Sequence, residues 1–137
     1  MRFEKLGTAV LTDDTAASSR FYIEHFGFTR VADLGWYVSL HHPEHPAYVL
    51  DFVQRGHESM PENFRTQDTA GLCLAFLVKD AAAEEAALRA KGVRITEPLH
   101  DEPWGQRRFH IESPEGILIE VLQTTTPDPD WLAANGG

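Results

Sequence analysis

Two stretches of this chain repeat one another, and that repeat limits the available folds more than any other feature of the sequence. Residues 4–54 and 71–123 run through the same order of segments. In the first, the apolar run Leu6-Gly-Thr-Ala-Val-Leu11 leads to Asp14, a helix-like stretch to Gly27, and three short β-prone segments. In the second, Leu72-Cys-Leu-Ala-Phe-Leu-Val78 leads to Asp80, a helix-like stretch to Gly92, and again β-prone segments. Self-similarity on this scale marks one supersecondary unit used twice. The pattern predicts two tandem βαβββ modules within a single α+β domain over residues 1–137, with curved mixed sheets and helices outside. Residues 55–70 are polar, contain Gly56 and Pro61 and lack periodicity, so they read as a linker. The tail, residues 124–137, is expected to be mobile except where Trp131 docks.

Each predicted helix carries its own punctuation. Asp14 and Asp80 are placed to accept hydrogen bonds from orphan N–H groups of a first turn, and Gly27 and Gly92 to take the left-handed conformation that ends a helix. Glu85 stands four residues before Arg89, a spacing that brings opposite charges together on one helix face.

Composition narrows the function classes. Twelve Lys and Arg against 21 Asp and Glu leave a formal charge of −9, which disfavours nucleic acid and anionic membranes and would attract a cation. The single cysteine, Cys73, excludes an internal disulfide and any multi-cysteine metal cluster. Asp13 and Asp14 interrupt the position where an export signal needs its apolar centre, and the apolar run Leu72–Val78 is too short to span a bilayer. The expectation is a soluble, cytoplasmic protein.

Side-chain alternation along the strands gives the faces. Ile117, Ile119 and Val121 share one side, while Leu118, Glu120 and Leu122 share the other. Over Tyr48 to Val53, Asp51 falls with Val49 and Val53. Each module thus places one acid at an equivalent point on its last strand, on the face turned away from the helix.

The duplicated layout, together with the run Glu102-Pro-Trp-Gly-Gln-Arg-Arg-Phe-His-Ile-Glu-Ser-Pro-Glu-Gly-Ile-Leu-Ile-Glu120, resembles the vicinal-oxygen-chelate superfamily of glyoxalases, extradiol dioxygenases and antibiotic-resistance proteins. Pro103-Trp104-Gly105, Arg108-Phe109 and the Ser113-Pro114-Glu115-Gly116 turn look most like its drug-sequestering, bleomycin-resistance branch. The resemblance implies a homodimer in which the first module of one subunit pairs with the second module of its partner. It also implies four metal-ligand positions, which fall here on Gly7, Asp51, Cys73 and Glu120. Glycine has no donor atom, and two carboxylates with one thiol match neither a two-His-one-carboxylate set nor an all-oxygen set. No metal or other cofactor is therefore expected.

Without a metal, the same face reads as a small-molecule site. Gly7, Ala9, Cys73 and Ala75 leave volume, Val49, Leu77, Leu118 and Leu122 make it apolar, and Asp51, Glu120, Arg108 and His110 add sparse polar contacts. Trp104 is a candidate stacking platform as well as a candidate loop cover. Trp36, expected on one strand face with Val38 and Leu40, is a candidate for either ligand contact or core, and Phe64 for an anchor or a lid. The segment His41-His42-Pro43-Glu44-His45 has poor metal spacing, since His41 and His42 face opposite sides of a strand, and a surface hairpin explains its polarity. The favoured expectation is metal-independent sequestration of a hydrophobic, aromatic or partly cationic natural product such as an antibiotic. A metal-dependent lyase, isomerase or dioxygenase with a non-standard site is the alternative, and a biosynthetic carrier of an intermediate is a third.

Overall fold

Asp14 and Asp80 open the two long helices in the same way. In a computed structural model that describes residues 1–136, the Asp14 carboxylate accepts the Ala17 N–H at 2.9 Å and the Asp80 carboxylate accepts the Ala83 N–H at 3.0 Å. The helices follow at once: α1 is Thr15–Phe26 and the Ala-rich helix α3 is Ala81–Ala90, with a short helix α2, Glu62–Arg65, between them. Gly27 ends α1 with φ +74°. In the second half Lys91 is half inside the helix, and Gly92 takes the left-handed conformation one residue later, at φ +80°. The Glu85–Arg89 pair forms at 3.3 Å, and the other Glu85 oxygen accepts the Leu99 N–H at 2.6 Å, so this acid also fastens the helix to the strand that follows.

Among the described residues, eight strands form two four-stranded mixed sheets. In the first, β1 (Leu6–Thr12), β2 (Thr29–Asp33), β3 (Tyr37–His42) and β4 (His45–Gln54) lie in the order β1-β4-β3-β2. In the second, β5 (Cys73–Leu77), β6 (Ile95–Glu102), β7 (Gln106–Glu112) and β8 (Leu118–Thr124) lie in the order β5-β8-β7-β6. Each sheet has one parallel pair, β1 with β4 and β5 with β8, and is otherwise antiparallel. These are the tandem βαβββ modules that the repeat predicts.

The chain packs as two units. One comprises Met1–Ala70 with Ser113–Gly116, the other Gly71–Glu112 and the chain from Ile117 onward. In the first unit, alternation puts Val10, Val38, Leu40, Leu50 and Phe52 on the helix side, all buried, with Tyr22 of α1 packed on Phe52 at 5.3 Å between rings. Glu115 completes this core: its carboxylate accepts the Tyr22 hydroxyl at 2.7 Å and the Ser18 hydroxyl at 2.9 Å. Burial, then the Glu115 charge, pushes the Tyr22 phenol far up, so it stays a protonated donor. In the second unit the corresponding core is Phe109, Ile111, Ile119 and Val121, with Ala81 and Leu88 of α3 also buried.

One expectation needs correction. The segment after Pro127 is ordered as helix α4, Pro129–Ala134, because Asp128 caps it by accepting the Asp130 and Trp131 N–H groups and Pro129 suits a first helical turn. Its Asp128 N–H donates to the Pro103 carbonyl at 2.8 Å, which straps the tail to the Pro103-Trp104-Gly105 turn. Gly137 lies outside the described residues. Trp36 stands one residue before β3, where its carbonyl accepts the Gln54 N–H at 2.7 Å and continues the β3–β4 ladder, and its ring stacks on His57 at 3.8 Å with a 2° interplanar angle. Residues 55–70 are held to their own unit by Arg55, which donates to the Asp13 carboxylate, the Thr69 hydroxyl and the Gln67 carbonyl. Among the described residues, no helix is long and apolar enough to cross a membrane.

Candidate functional site

Asp51, Arg108, His110 and Glu120 fall on the sheet faces turned away from the helices. In the first unit, the parallel β1–β4 register sets Gly7 beside Val49 and Ala9 beside Asp51, and β3 adds Ser39 opposite Asp51. Gly7 and Ala9 are exposed and project almost nothing above the sheet. Asp51 is half-buried, and its Oδ1 is shielded from solvent without a hydrogen-bond partner among the described residues. A buried carboxylate oxygen with no donor is costly unless a ligand or water supplies one. Phe64 lies in α2, partly exposed.

The second unit treats its equivalent acid differently. The β5–β8 register sets Cys73 beside Leu118 and Ala75 beside Glu120, as in the first module, but β7 brings His110 opposite Glu120 and Arg108 opposite Leu122. Arg108 donates to Glu120, and His110 Nε2 lies 3.2 Å from the same carboxylate. Burial alone would raise the Glu120 carboxyl, but the hydrogen bonds from Arg108 and His110 outweigh it and hold it below the ordinary range. The bond to Glu120, opposed by burial and helped by Glu102, raises the Arg108 guanidinium in turn. Partial burial, then the Glu120 charge, pushes the Cys73 thiol up and keeps it protonated.

Around this pair lies a wider charged network. Arg108 also donates to Glu102 at 3.0 Å, and His100 contacts Glu102 through Nε2 and the Pro98 carbonyl through Nδ1 at 2.8 Å. The hydrogen bond to the Pro98 carbonyl, then that to Glu102, raises the His100 pKa. Trp104, in the β6–β7 turn, is 38% exposed and donates its indole N–H to Gln106 at 2.8 Å. The Arg108 guanidinium lies 5.2 Å from the Trp104 ring centre, within cation–π range, and Trp131 of α4 approaches the same indole at 6.0 Å. Leu77 and Leu118 stay exposed at 67% and 42% on this face, beside the buried Leu122.

The structure thus brings Trp104, Arg108, His110 and Glu120 together on one sheet, whereas Asp51, Trp36 and Phe64 belong to the other unit. Glu102 and His100 escaped the sequence reading. The signal for them was the turn at Pro103-Trp104-Gly105, since pairing outward from it sets His100 against Arg108 and Glu102 against Gln106.

The residues present do not fit the divalent metal of such enzymes. In the first unit Gly7 offers no donor and Asp51 stands alone. In the second, a single soft thiol, Cys73, accompanies a hard carboxylate, Glu120, that is already engaged by the Arg108 guanidinium and the His110 imidazole.

Two mixed βαβββ sheets, each carrying an acid on its last strand, define a vicinal-oxygen-chelate protein. The chain belongs to the Glyoxalase/Bleomycin resistance protein/Dioxygenase superfamily, whose model matches residues 6–121. Among solved structures it is similar to a glyoxalase/bleomycin resistance protein/dioxygenase from Nocardioides, at 19% identity over 91% of this chain and 85% of that one, TM-score 0.75. It is similar to TnmS3, an antibiotic binding protein from Streptomyces sp. CB03234, at 23% identity over 90% and 98% of the two chains, TM-score 0.69. A lactoylglutathione lyase from Agrobacterium tumefaciens is similar at 21% identity over 86% and 91%, TM-score 0.68. None of the curated proteins matches the chain.

Proposed function

We propose that the protein binds and sequesters a hydrophobic, aromatic natural product, an antibiotic in the first instance, without a metal. The observation that carries this reading is the Arg108–Glu120–His110 cluster. An acid already paired with a guanidinium and in hydrogen-bond contact with an imidazole serves poorly as a metal ligand and well as part of a fixed polar wall. Around it, Trp104 supplies a flat contact surface, and Leu77 and Leu118 supply exposed apolar area that a ligand would cover. On the other sheet, Gly7 and Ala9 leave room, and the unpartnered Asp51 oxygen is an acceptor for a ligand N–H or cationic group. The proposed assembly is a C2 homodimer in which the first module of one protomer faces the second module of its partner.

The test is a thermal-shift and native mass-spectrometry screen of DNA-damaging and other aromatic antibiotics, run in EDTA and repeated after adding Zn²⁺, Ni²⁺, Mn²⁺ or Fe²⁺. A ligand bound equally well in both conditions, unchanged after incubation, supports the reading. Binding or turnover that requires added metal overturns it in favour of a metal-dependent lyase, isomerase or dioxygenase.

A further inference from the structure

We infer that the tip of the β3–β4 hairpin is a site for a borderline divalent cation such as Zn²⁺, held by His42, Glu44 and His45. The two histidines are register partners across a two-residue turn, Pro43-Glu44, so their side chains leave the backbone next to each other. Their rings lie 5.4 Å apart at 34°, and one ligand atom from each of the three residues falls within 4.8 Å of the other two. Two donors at about 2.1 Å from a tetrahedral zinc ion are about 3.4 Å apart, so closing the set takes movements of roughly 1.4 Å. Glu44 and His45 are exposed and free to make them by side-chain rotation.

His42 is the fixed member. Its ring meets Phe28 edge-on at 5.5 Å, and its Nε2 packs against Gly27, where even a Cβ would come within 3.3 Å. Nδ1 therefore faces the turn, where it accepts the Glu44 N–H at 3.2 Å. That lone pair is directed at the segment carrying the other two donors, and a cation would take it over in exchange for one long hydrogen bond. Two imidazoles and a carboxylate favour Zn²⁺, Ni²⁺ or Cu²⁺ over Mg²⁺ or Ca²⁺. His41 takes no part: it is paired with Val49 and belongs to the opposite face. The cross-strand pair that meets is His42 with His45, not the adjacent His41 and His42. This site is separate from the metal positions of the sheet faces and does not rest on the binding function proposed above.

The experiment is calorimetric titration of EDTA-stripped, tag-free protein with Zn²⁺, with histidine ring resonances followed by NMR. One equivalent of Zn²⁺ should bind and shift the His42 and His45 signals while leaving those of His57 and His100 in place. His45→Ala and Glu44→Gln keep the packed His42 ring. Because even outer-shell partners are worth tenfold or more, loss of the direct ligand His45 should weaken binding by about tenfold at least. Asp51→Asn and Cys73→Ser should bind Zn²⁺ as the parent does. Saturable binding that survives His45→Ala, or its absence up to about 100 µM Zn²⁺, overturns the proposal. Binding lost with Asp51→Asn or Cys73→Ser instead overturns both this site and the metal-independent reading.

Discussion

The Arg108 guanidinium lies 5.2 Å from the centre of the Trp104 ring while donating to both Glu102 and Glu120. Trp104 is therefore tied to the charged network of its sheet face as well as to the tail. Its remaining exposure leaves indole surface for a ligand. Trp104→Ala should weaken binding of a flat aromatic ligand found in the antibiotic screen by about thirtyfold, roughly 2 kcal/mol, as loss of a rigid aromatic anchor does. Quenching of intrinsic fluorescence on titration measures it. A variant that binds as tightly as the parent, or that unfolds before binding can be read, returns Trp104 to a structural cover over the turn.

Glu115 makes a prediction for stability. Tyr22 and Ser18 are fully buried, and Glu115 is the acceptor for both hydroxyls. Ser18 has a second partner in Thr12 at 2.9 Å and Tyr22 has one in Ser113, so removing the acid takes from each hydroxyl its charged acceptor and leaves it one partner. Glu115→Ala should destabilise by about 2 kcal/mol through the loss of a charged acceptor shared by two buried hydroxyls, a fall in melting temperature on the order of 8 °C for a chain of this size. Combining it with Tyr22→Phe should cost less than the sum of the two single changes, because the variants share one interaction. Additive losses would mean that the hydrogen bond contributes little.

Much of this architecture was legible because it rests on local chemistry that recurs twice. The aspartate caps, the left-handed glycines after each long helix and the alternation along β4 and β8 are one-dimensional patterns, and the structure reproduces them. Glu120 and Asp51 were likewise placed on the correct faces by parity alone. What parity could not supply was their partners. Whether an acid meets Arg108 and His110 or remains without a donor depends on which strand lies beside it and in what register, a long-range pairing that no window of sequence contains. The partner of the Trp36 ring was hidden for a related reason: His57 comes from a segment with no periodic signal. The tail was misread because Pro127 and Pro129 suggest a break, whereas Pro129 followed an aspartate cap and opened a helix.

His100 and its carboxylate neighbours set a pH window. His100 has its pKa raised above the ordinary 6.5, so its contribution to stability is fully present below about that pH and is lost as pH rises through the folded-state value. Glu102 and Glu120 have theirs lowered from the ordinary 4.5, so their contribution is present above about that pH and is lost as pH falls through their folded-state values. The network should be firmest between about pH 4.5 and 6.5. An NMR titration of the His100 ring should give a midpoint above 6.5 that moves down in Glu102→Gln without reaching the ordinary value, since the Pro98 carbonyl remains. An unchanged midpoint would show that Glu102 does not hold the ring.

Gly105 is the point where the turn and the tail meet. It has φ +100°, and a Cβ there would lie 2.8 Å from Pro127 Cγ and 2.9 Å from the Thr125 carbonyl oxygen. Both the left-handed backbone and the close approach therefore demand glycine. The same turn accepts two hydrogen bonds from the tail, Thr125 N–H to the Gly105 carbonyl at 2.9 Å and Asp128 N–H to the Pro103 carbonyl at 2.8 Å. Gly105→Ala should push residues 125–128 away, break these bonds and carry Trp131 off Trp104, with a loss of stability on the order of 2 kcal/mol from strain and lost contacts. Because Trp131 leaves the indole, the tryptophan emission of the variant should shift even in the absence of ligand. Hydrogen exchange should show the Thr125 and Asp128 amides losing protection while those of β1 and β4 keep theirs. Protection retained at Thr125 and Asp128 would mean that the turn absorbs the methyl group without releasing the tail.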